Sequence, residues 1–549
     1  MKLVLEMPTI SQRRESLEIL PTSLYDSFRD IIARIRGSPN ASHAELGMQV
    51  LMWLHFAYRP LKLVELQHAL AVSRRHTEFD SGNTSSRKSL LDYCLGLVVV
   101  DEETLTVRFV HYTLEEYFHK YTGEEFPNGC IPIAETCLTY LNFSNLRQHC
   151  TSLDELRANE TKYAFLNYAA LYWGMYLKQQ CNDELMVLAK AIVEHEIGRP
   201  PCAIQVLYSE LGKSWFSLQP IARRFSGVHA TAYFGLSEEM AYCCEIERNM
   251  DLRDESDRTP LSWAAEYGHE NIVRMLIAQN NVDINSSDSK YGKTPLLWAA
   301  EKGHEAVTRL LTERCDLDIV ARDRRGQTAL LLAAEKGHEG VVLLLLMERG
   351  GVAINTKDNI GWTPLLQAAR SGQEAIVWLL LQTGNVDINA RNRSGWTPLS
   401  LAAQRGHEAI VRLLIERNDV NINVQNIYGQ TALWVAAEGG HEAVVRLLIE
   451  REDVDVSTAL SLAAANGHEA VVRLLIERDG VDANARDMFG WTPLLCAAVK
   501  GQEAVVRLLI ERDDADINPV NDAGLTPLLA AADKGYENIV RLLTEKLFG

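Results

Sequence analysis

The stretch VRFVHYTLEEYF, residues 107–118, carries a residue that could do chemistry, His111. Val107, Phe109 and Tyr112 bracket a strand-like alternation, whereas Leu114, Tyr117 and Phe118 recur at helical spacing, so the imidazole stands at a strand-to-helix junction. A titratable ring there can contact a phosphate, act as a base or cap the helix. A second candidate is Gly212-Lys213-Ser214, which ends like a phosphate-binding loop. Such a loop also needs a glycine five positions earlier, between a buried strand and a helix. Leu207 stands there, and the surrounding VLYSELGKSWFSL has no strand-to-helix pattern.

The pairs His269-Glu270, His304-Glu305, His338-Glu339, His407-Glu408, His441-Glu442 and His468-Glu469 invite a metal reading. Each follows the glycine of a turn, and stacked helices lie roughly 8 to 10 Å apart, too far for consecutive imidazoles to share a metal. They read as turn residues. The sequence contains no H-E-x-x-H, calcium-loop or Cys/His metal spacing and no G-x-S-x-G elbow, and no Ser or Cys nucleophile has a recognisable partner. The expectation is a non-enzyme with no catalytic residue, no metal and no cofactor.

The 549 residues are too many for one core, and 47% hydrophobic content suffices to bury several. A net charge of -18 argues against nucleic acid or an anionic membrane as the principal partner, because both require clustered Lys and Arg. Basic ligands or other proteins fit better. The ten cysteines show no C-x-x-C, and Cys243-Cys244 are adjacent, which suits reduced thiols in a cytoplasmic or nuclear setting. The N-terminal MKLVLEMPTISQRR has too short an apolar run for a signal peptide, and no stretch approaches the roughly 20 apolar residues of a membrane span.

The elements that must position any site are plainest in the second half. T-P-L or T-A-L begins at Thr259, Thr294, Thr328, Thr363, Thr397, Thr431, Thr458, Thr492 and Thr526, at intervals of 34 or 35 residues with few exceptions. Each copy follows a template such as GWTPLSLAAQRGHEAIVRLLIERNDVNIN: a turn with Gly, a Thr-Pro helix start, an Ala-rich helix, Gly-His and a second apolar helix. Pro398 suits the first helical turn, Thr397 can cap it and Gly406 can end the helix in a left-handed conformation. Ile410, Val411, Leu413, Leu414 and Ile415 form an apolar face that one copy alone cannot bury, so the copies must stack. The pattern resembles the ankyrin repeat, with its T-P-L-H-x-A signature and period of about 33. The resemblance implies a mostly α-helical solenoid of nine clear repeats, with residues 226–253 as a degenerate N-terminal cap and a more polar last repeat. Between Thr431 and Thr458 the interval is seven residues short of 34: the D-x-x-G turn is absent between Asp455 and Thr458 while both helices remain. This is either a gap in the binding surface or a neutral deletion.

In the first half, LPTSLYDSFRDIIARI places Leu24, Phe28, Ile31, Ile32 and Ile35 on one helical face. AELGMQVLMWLHFAYRPLKLVELQHALAV reads as two helices broken at Pro60, and LLDYCLGLVVVDEETLTVRFV as a helix and two strands around a turn at Asp101 to Glu103. Helices with a two-stranded wing describe a winged helix. RPLKLVELQHALAV and VRFVHYTLEEYF resemble the winged helix, also named after GPI inositol-deacylase, that follows the NACHT nucleotide-binding domain in fungal NLR-like signalling proteins. IPIAETCLTYL and FLNYAALYWGMYL resemble the helices that join that segment to ankyrin repeats. The resemblance implies a NACHT-tail-like helix over 1–19, a winged helix over 20–125, a helical linker over 126–225 and ankyrin repeats over 226–549. It also implies that His111, in the pattern Phe109, His111, Thr113, Glu116 and Tyr117, is a relic nucleotide sensor. The residue-level alternative is a helix cap.

By the ankyrin resemblance, residues between the Asp or Asn and the Gly of each turn, and just after that Gly, face a protein partner. Those places hold Ile360, Trp362, Trp396, Ile427, Tyr428, Met488, Phe489 and Trp491. The alternative is that Trp362, Trp396 and Trp491 pack against neighbouring turns, leaving the helical, concave face around Glu266, Tyr267, Arg370 and Arg405 as the binding surface. Trp263 and Trp298 read as packing residues. The expected function is a non-enzymatic scaffold or adaptor that binds proteins, without nucleic acid or membrane as partner; the alternative is a fragment of a NACHT ATPase of the fungal innate-immunity or heterokaryon-incompatibility type.

Overall fold

The computed structural model describes residues 24–73, 77–195, 199–212, 224–247, 249–347, 354–456, 458–478 and 480–548. The chain divides into two units, Met1–Ser289 and Lys290–Gly549. The expected helix over 1–19, and Lys213 and Ser214, lie outside the described residues. Gly212 is the last residue of the helix Cys202–Gly212, so it follows a helix rather than a strand.

In the first unit, helices over 24–36, Ala41–Phe56, Leu63–Leu70, Arg87–Tyr93 and Tyr112–Glu125 surround a two-stranded wing. Asn40 and Ser86 start two of these helices by accepting the N–H groups of Ser42 and Ser89 at 3.0 and 3.1 Å. Strands β1 (Val98–Val100) and β2 (Val107–Phe109) pair antiparallel with Val98 opposite Phe109. Asp101 closes the turn between them by accepting the N–H groups of Glu103 and Thr104. Phe28, Ile32, Ile35, Trp53, Leu66, Leu114, Tyr117 and Phe118 are buried in the core, which is why the chain changes period after β2. The following helices, among them Cys130–Leu141 and Leu166–Gln179, bury Tyr140, Phe165, Tyr168, Trp173 and Tyr176. The Tyr176 hydroxyl donates to the Phe56 carbonyl at 2.9 Å, tying this layer to the winged helix.

The helices Gly227–Phe234 and Ser237–Ile246 form the N-terminal cap of the solenoid. In it, buried His229 accepts from the Ser226 N–H at 3.0 Å and its other ring nitrogen faces the carbonyls of Leu252 and Arg258 at 3.2 Å. Burial pushes this imidazole down to about 3. Nearby Asp254 accepts the N–H groups of Ser256 and Arg258 and the Trp263 indole N–H, yet burial raises its carboxyl to about 6.

Nine helix pairs follow among the described residues, from Pro260–Tyr267 with Glu270–Ile277 to Pro527–Lys534 with Glu537–Phe548. We number these repeats 1 to 9. Their regularity comes from small polar devices copied along the chain. Except in repeat 7, the threonine before the first helix is extended and its hydroxyl accepts the N–H three residues on, as Thr397 does for Ser400 at 3.2 Å. The first helix ends in a left-handed glycine, Gly406 having φ 73, except in repeat 6, where the left-handed Gly440 comes one residue after the helix cap Gly439. Before most of these threonines, Asp or Asn builds a finger-like turn by accepting two N–H groups. Asp358 takes those of Ile360 and Trp362 at 2.9 and 2.8 Å, and Asn392 those of Ser394 and Trp396, both at 3.0 Å.

The histidines of the His-Glu pairs are more than turn residues. His338 Nε2 lies 2.9 Å from the carbonyl of Glu301, His441 Nε2 3.1 Å from that of Gln404, and His468 Nε2 2.8 Å from that of Glu438, each in the preceding repeat. Each ring covers the preceding left-handed glycine: a Cβ on Gly406 would lie 2.7 Å from His441 Nδ1. The glycine is needed twice over, for its backbone angle and for the neighbour's ring. These imidazoles stitch one repeat to the last, and among the described residues no group of His, Cys, Asp and Glu could hold a metal ion.

Repeat 7 departs from the template. Thr458 is helical rather than extended, with φ -108 and ψ -14, and makes no side-chain cap. Its helices Ala459–Asn466 and Glu469–Ile476 still pack on repeats 6 and 8. Loss of the turn removes the cap but leaves the stack.

Candidate binding groove

In repeats 1 to 4 the residue before the capping threonine and the one eight positions on face each other. In repeat 1 they are Arg258 and Glu266, 2.6 Å apart; in repeat 2, Lys293 and Glu301, also 2.6 Å apart. In repeat 3 the Gln327 amide donates to Glu335 at 3.4 Å. Repeat 4 changes both members: Trp362 takes the place of the cation and Arg370 that of the acid, with the guanidinium carbon 5.1 Å from the indole centre. Repeat 5 places Trp396 and Gln404 there. The charge at this second position therefore reverses from carboxylate in repeats 1 to 3 to guanidinium in repeat 4, and is neutral in repeat 5.

That reversal produces a groove. Ile360, Trp362, Arg370, Arg393, Trp396 and Arg405 line an open cavity of about 540 Å³ whose remaining walls carry no Asp or Glu. Trp362 and Trp396 are half-buried and pack on Leu366, Ala390 and Leu401. Both indoles are held by their turns, because Asp358 and Asn392 fix the backbone at these two residues. Among the described residues, the side chains of Arg370, Arg393 and Arg405 make no ion pair, and the Arg370 guanidinium lies over the Trp362 ring. Such a surface can offer planar cations to carboxylates and indole faces to an apolar side chain.

The sequence treated turns and helical face as alternative surfaces. The structure brings Ile360, Trp362 and Trp396 from the turns together with Arg370 and Arg405 from the helices in one groove. Trp491 is also half-buried, whereas Ile427, Tyr428, Met488 and Phe489 are exposed on other fingers and do not line this groove. Trp263 and Trp298 are buried, and Glu266 is occupied by Arg258. Arg393 escaped sequence reasoning because a single Arg in a turn carries no pattern; only stacking places it beside two tryptophans. Trp378, half-exposed on the second helix of repeat 4, also went unnoticed. Its signal was available: repeats 1, 5, 6, 7 and 8 place there the Arg of a Glu-Arg pair four residues apart.

His111 lies elsewhere, at the start of Tyr112–Glu125. Its Nδ1 accepts the Thr113 N–H at 3.2 Å and lies 2.9 Å from the Thr113 hydroxyl, so it caps the helix. The ring is exposed. No helix among the described residues is long and apolar enough to cross a membrane.

Comparison with known families agrees with this architecture. Residues 39–125 match the winged helix domain of the GPI inositol-deacylase type. No curated protein matches the chain. Ankyrin repeats (3 copies) match in overlapping windows, including 203–323, 306–392, 384–459 and 460–548, which together run over more than half of the sequence. With its Thr-capped helix pairs, left-handed glycines and stacked turns, the chain belongs to the ankyrin-repeat family.

Proposed function

We propose that this protein is a non-enzymatic scaffold that holds an acidic segment of a protein partner across repeats 4 and 5. One observation carries the reading: in a chain of net charge -18, one groove gathers Arg370, Arg393 and Arg405 around two tryptophans with no acid in its lining. Cations left without a carboxylate, beside apolar rings, suit a partner that brings carboxylates flanking a bulky apolar residue. The winged helix supports a second element of the proposal, descent from an NLR-like switch of the NACHT type; the cytoplasm or nucleus as its compartment belongs to the same proposal and rests on the scattered cysteines.

The test uses a displayed library of linear peptides selected on the full-length chain. Acidic peptides with an aromatic or large aliphatic residue should be enriched, and an R370E/R393E/R405E variant should lose them at least tenfold. Enrichment of basic or neutral sequences, or binding indifferent to the triple substitution, would refute the proposal. A second reading, part of a NACHT ATPase, rests on the winged-helix match alone. It requires micromolar ADP affinity that falls in His111→Ala, measurable by calorimetry.

A further inference from the structure

The fingers form a row joined by backbone hydrogen bonds. Within the second unit, Arg324 N–H donates to Tyr291 O at 2.8 Å, Asn359 N–H to Arg325 O at 2.9 Å, Arg393 N–H to Ile360 O at 3.2 Å and Ile427 N–H to Ser394 O at 3.1 Å. The row stops at Tyr428 because repeat 7 has no finger, and resumes where Asp522 N–H donates to Phe489 O at 3.2 Å. Among the described residues, the Tyr428 carbonyl and the Met488 N–H, which occupy the joining positions, have no partner.

The two fingers that flank this interruption differ from the others. Their tips are Ile427 and Tyr428 on one side, 63% and 70% exposed, and Met488 and Phe489 on the other, 86% and 61% exposed. The corresponding tips elsewhere are polar or mixed: Arg324-Arg325, Asn359-Ile360, Arg393-Ser394 and Asp522-Ala523. Large apolar residues are therefore exposed in adjacent pairs on the two fingers that carry the open backbone groups. Each finger is itself a closed turn, as when Asn426 N–H donates to Gln430 O at 3.0 Å. Stacked helices repeat at roughly 8 to 10 Å and strands at roughly 4.8 Å, so one missing finger leaves a space about two strands wide.

We infer that this slot receives a tight turn of a partner protein, which replaces the absent finger. The occupant donates one backbone N–H to the Tyr428 carbonyl, accepts one from the Met488 N–H, and sets apolar side chains against Ile427, Tyr428, Met488 and Phe489. The slot continues the finger-to-finger interface on both sides, so its occupant must match the fingers in chemistry: a hairpin-like turn with apolar residues at its tip, rather than a charged segment. None of these four residues lines the groove of repeats 4 and 5, and the inference does not depend on that groove's function.

The experiment selects disulfide-closed loops from a displayed library on the full-length chain. It then compares binding with a filled variant in which Asn-Val-Gln-Asn-Ile-Tyr-Gly, the segment 423–429, is inserted after Val456. Loops with adjacent apolar residues should bind, weaken at least tenfold on the filled variant and in M488S/F489S, and remain bound to R370E/R393E/R405E. N-methylation of one backbone amide in the loop should abolish binding. The inference falls if no loop distinguishes wild type from both variants, if N-methylation is tolerated at every position, or if binding follows the arginines instead. Self-association of the wild type that the filled variant lacks would overturn it in favour of a second copy of the chain.

Discussion

The pair at Trp362 and Arg370 can be exchanged for the pair that the protein itself uses two repeats earlier. Lys293 and Glu301 stand at the same positions and spacing, with the ammonium 2.6 Å from the carboxylate. Trp362→Ala removes a half-buried indole packed on Leu366, Ala390 and Leu401. Full truncation of a buried aromatic costs about 3–5 kcal/mol, so a half-buried one costs about 2 kcal/mol. The stacked Arg370 contributes a further amount of about 0.5–1 kcal/mol. Trp362→Ala should therefore lower hydrogen-exchange protection of Pro364–Ser371 by about 100-fold, since the two contributions together make about 2.5–3 kcal/mol and tenfold corresponds to about 1.4 kcal/mol. The double variant W362K/R370E rebuilds the Lys-Glu bridge, worth up to about 1 kcal/mol, so about fivefold of the lost protection should return. Both variants should lose the acidic partner. If the double variant is as unprotected as Trp362→Ala, the two positions are not an exchangeable pair; if it folds and still binds acidic peptides, the tryptophan and arginine do not form the site.

Three further outcomes follow from the fold. Gly406→Ala should destabilise by about 2 kcal/mol in the wild type but only about 1 kcal/mol with His441→Ala, because the ring clash goes and the left-handed strain stays; additivity in chemical denaturation would refute the ring-over-glycine packing. Asp254 has a carboxyl raised to about 6, so its contribution is full below the unfolded value near 3.8 and is lost as pH rises through 6. The stability advantage of the wild type over Asp254→Asn should thus grow by about 1 kcal/mol per unit as pH falls from 6 to 4, and parallel pH profiles would contradict this. Filling the slot before Thr458 should restore its cap and stabilise Ala459–Asn466 by about 1 kcal/mol, read as increased exchange protection; unfolding on insertion would refute the reading of repeat 7 as an ordinary repeat that lacks a turn.

The repeat architecture is legible in the sequence because its determinants are local. A threonine caps the helix it begins, a glycine ends it, and an Asp closes a turn four residues long, so each letter reports its own geometry. The helix and wing of the first half are readable for the same reason, through the change of period around His111. The histidines after the glycines show the limit of this local reading. As single letters they mark turns, but their hydrogen bonds reach carbonyls in the preceding repeat, which only stacking reveals. The groove lies further still from local pattern. Trp362, Arg370, Arg393 and Arg405 belong to two repeats, and whether the indoles project or pack depends on Leu366, Ala390 and Leu401 beneath them. The exposed tips at Tyr428 and Met488 are visible as apolar letters, yet their pairing across one missing turn emerges only from the row of backbone bonds.

The central claim is that the arginine-tryptophan groove takes an acidic protein segment. Its most direct measurement is calorimetry of the strongest library-selected acidic peptide against the full-length chain and the R370E/R393E/R405E variant, at low and at high salt. The groove predicts affinity that weakens with salt, falls at least tenfold in the charge-reversed variant and is unaffected by filling the slot before Thr458. Equal affinity for wild type and the charge-reversed variant, with the variant's exchange protection intact, would contradict it.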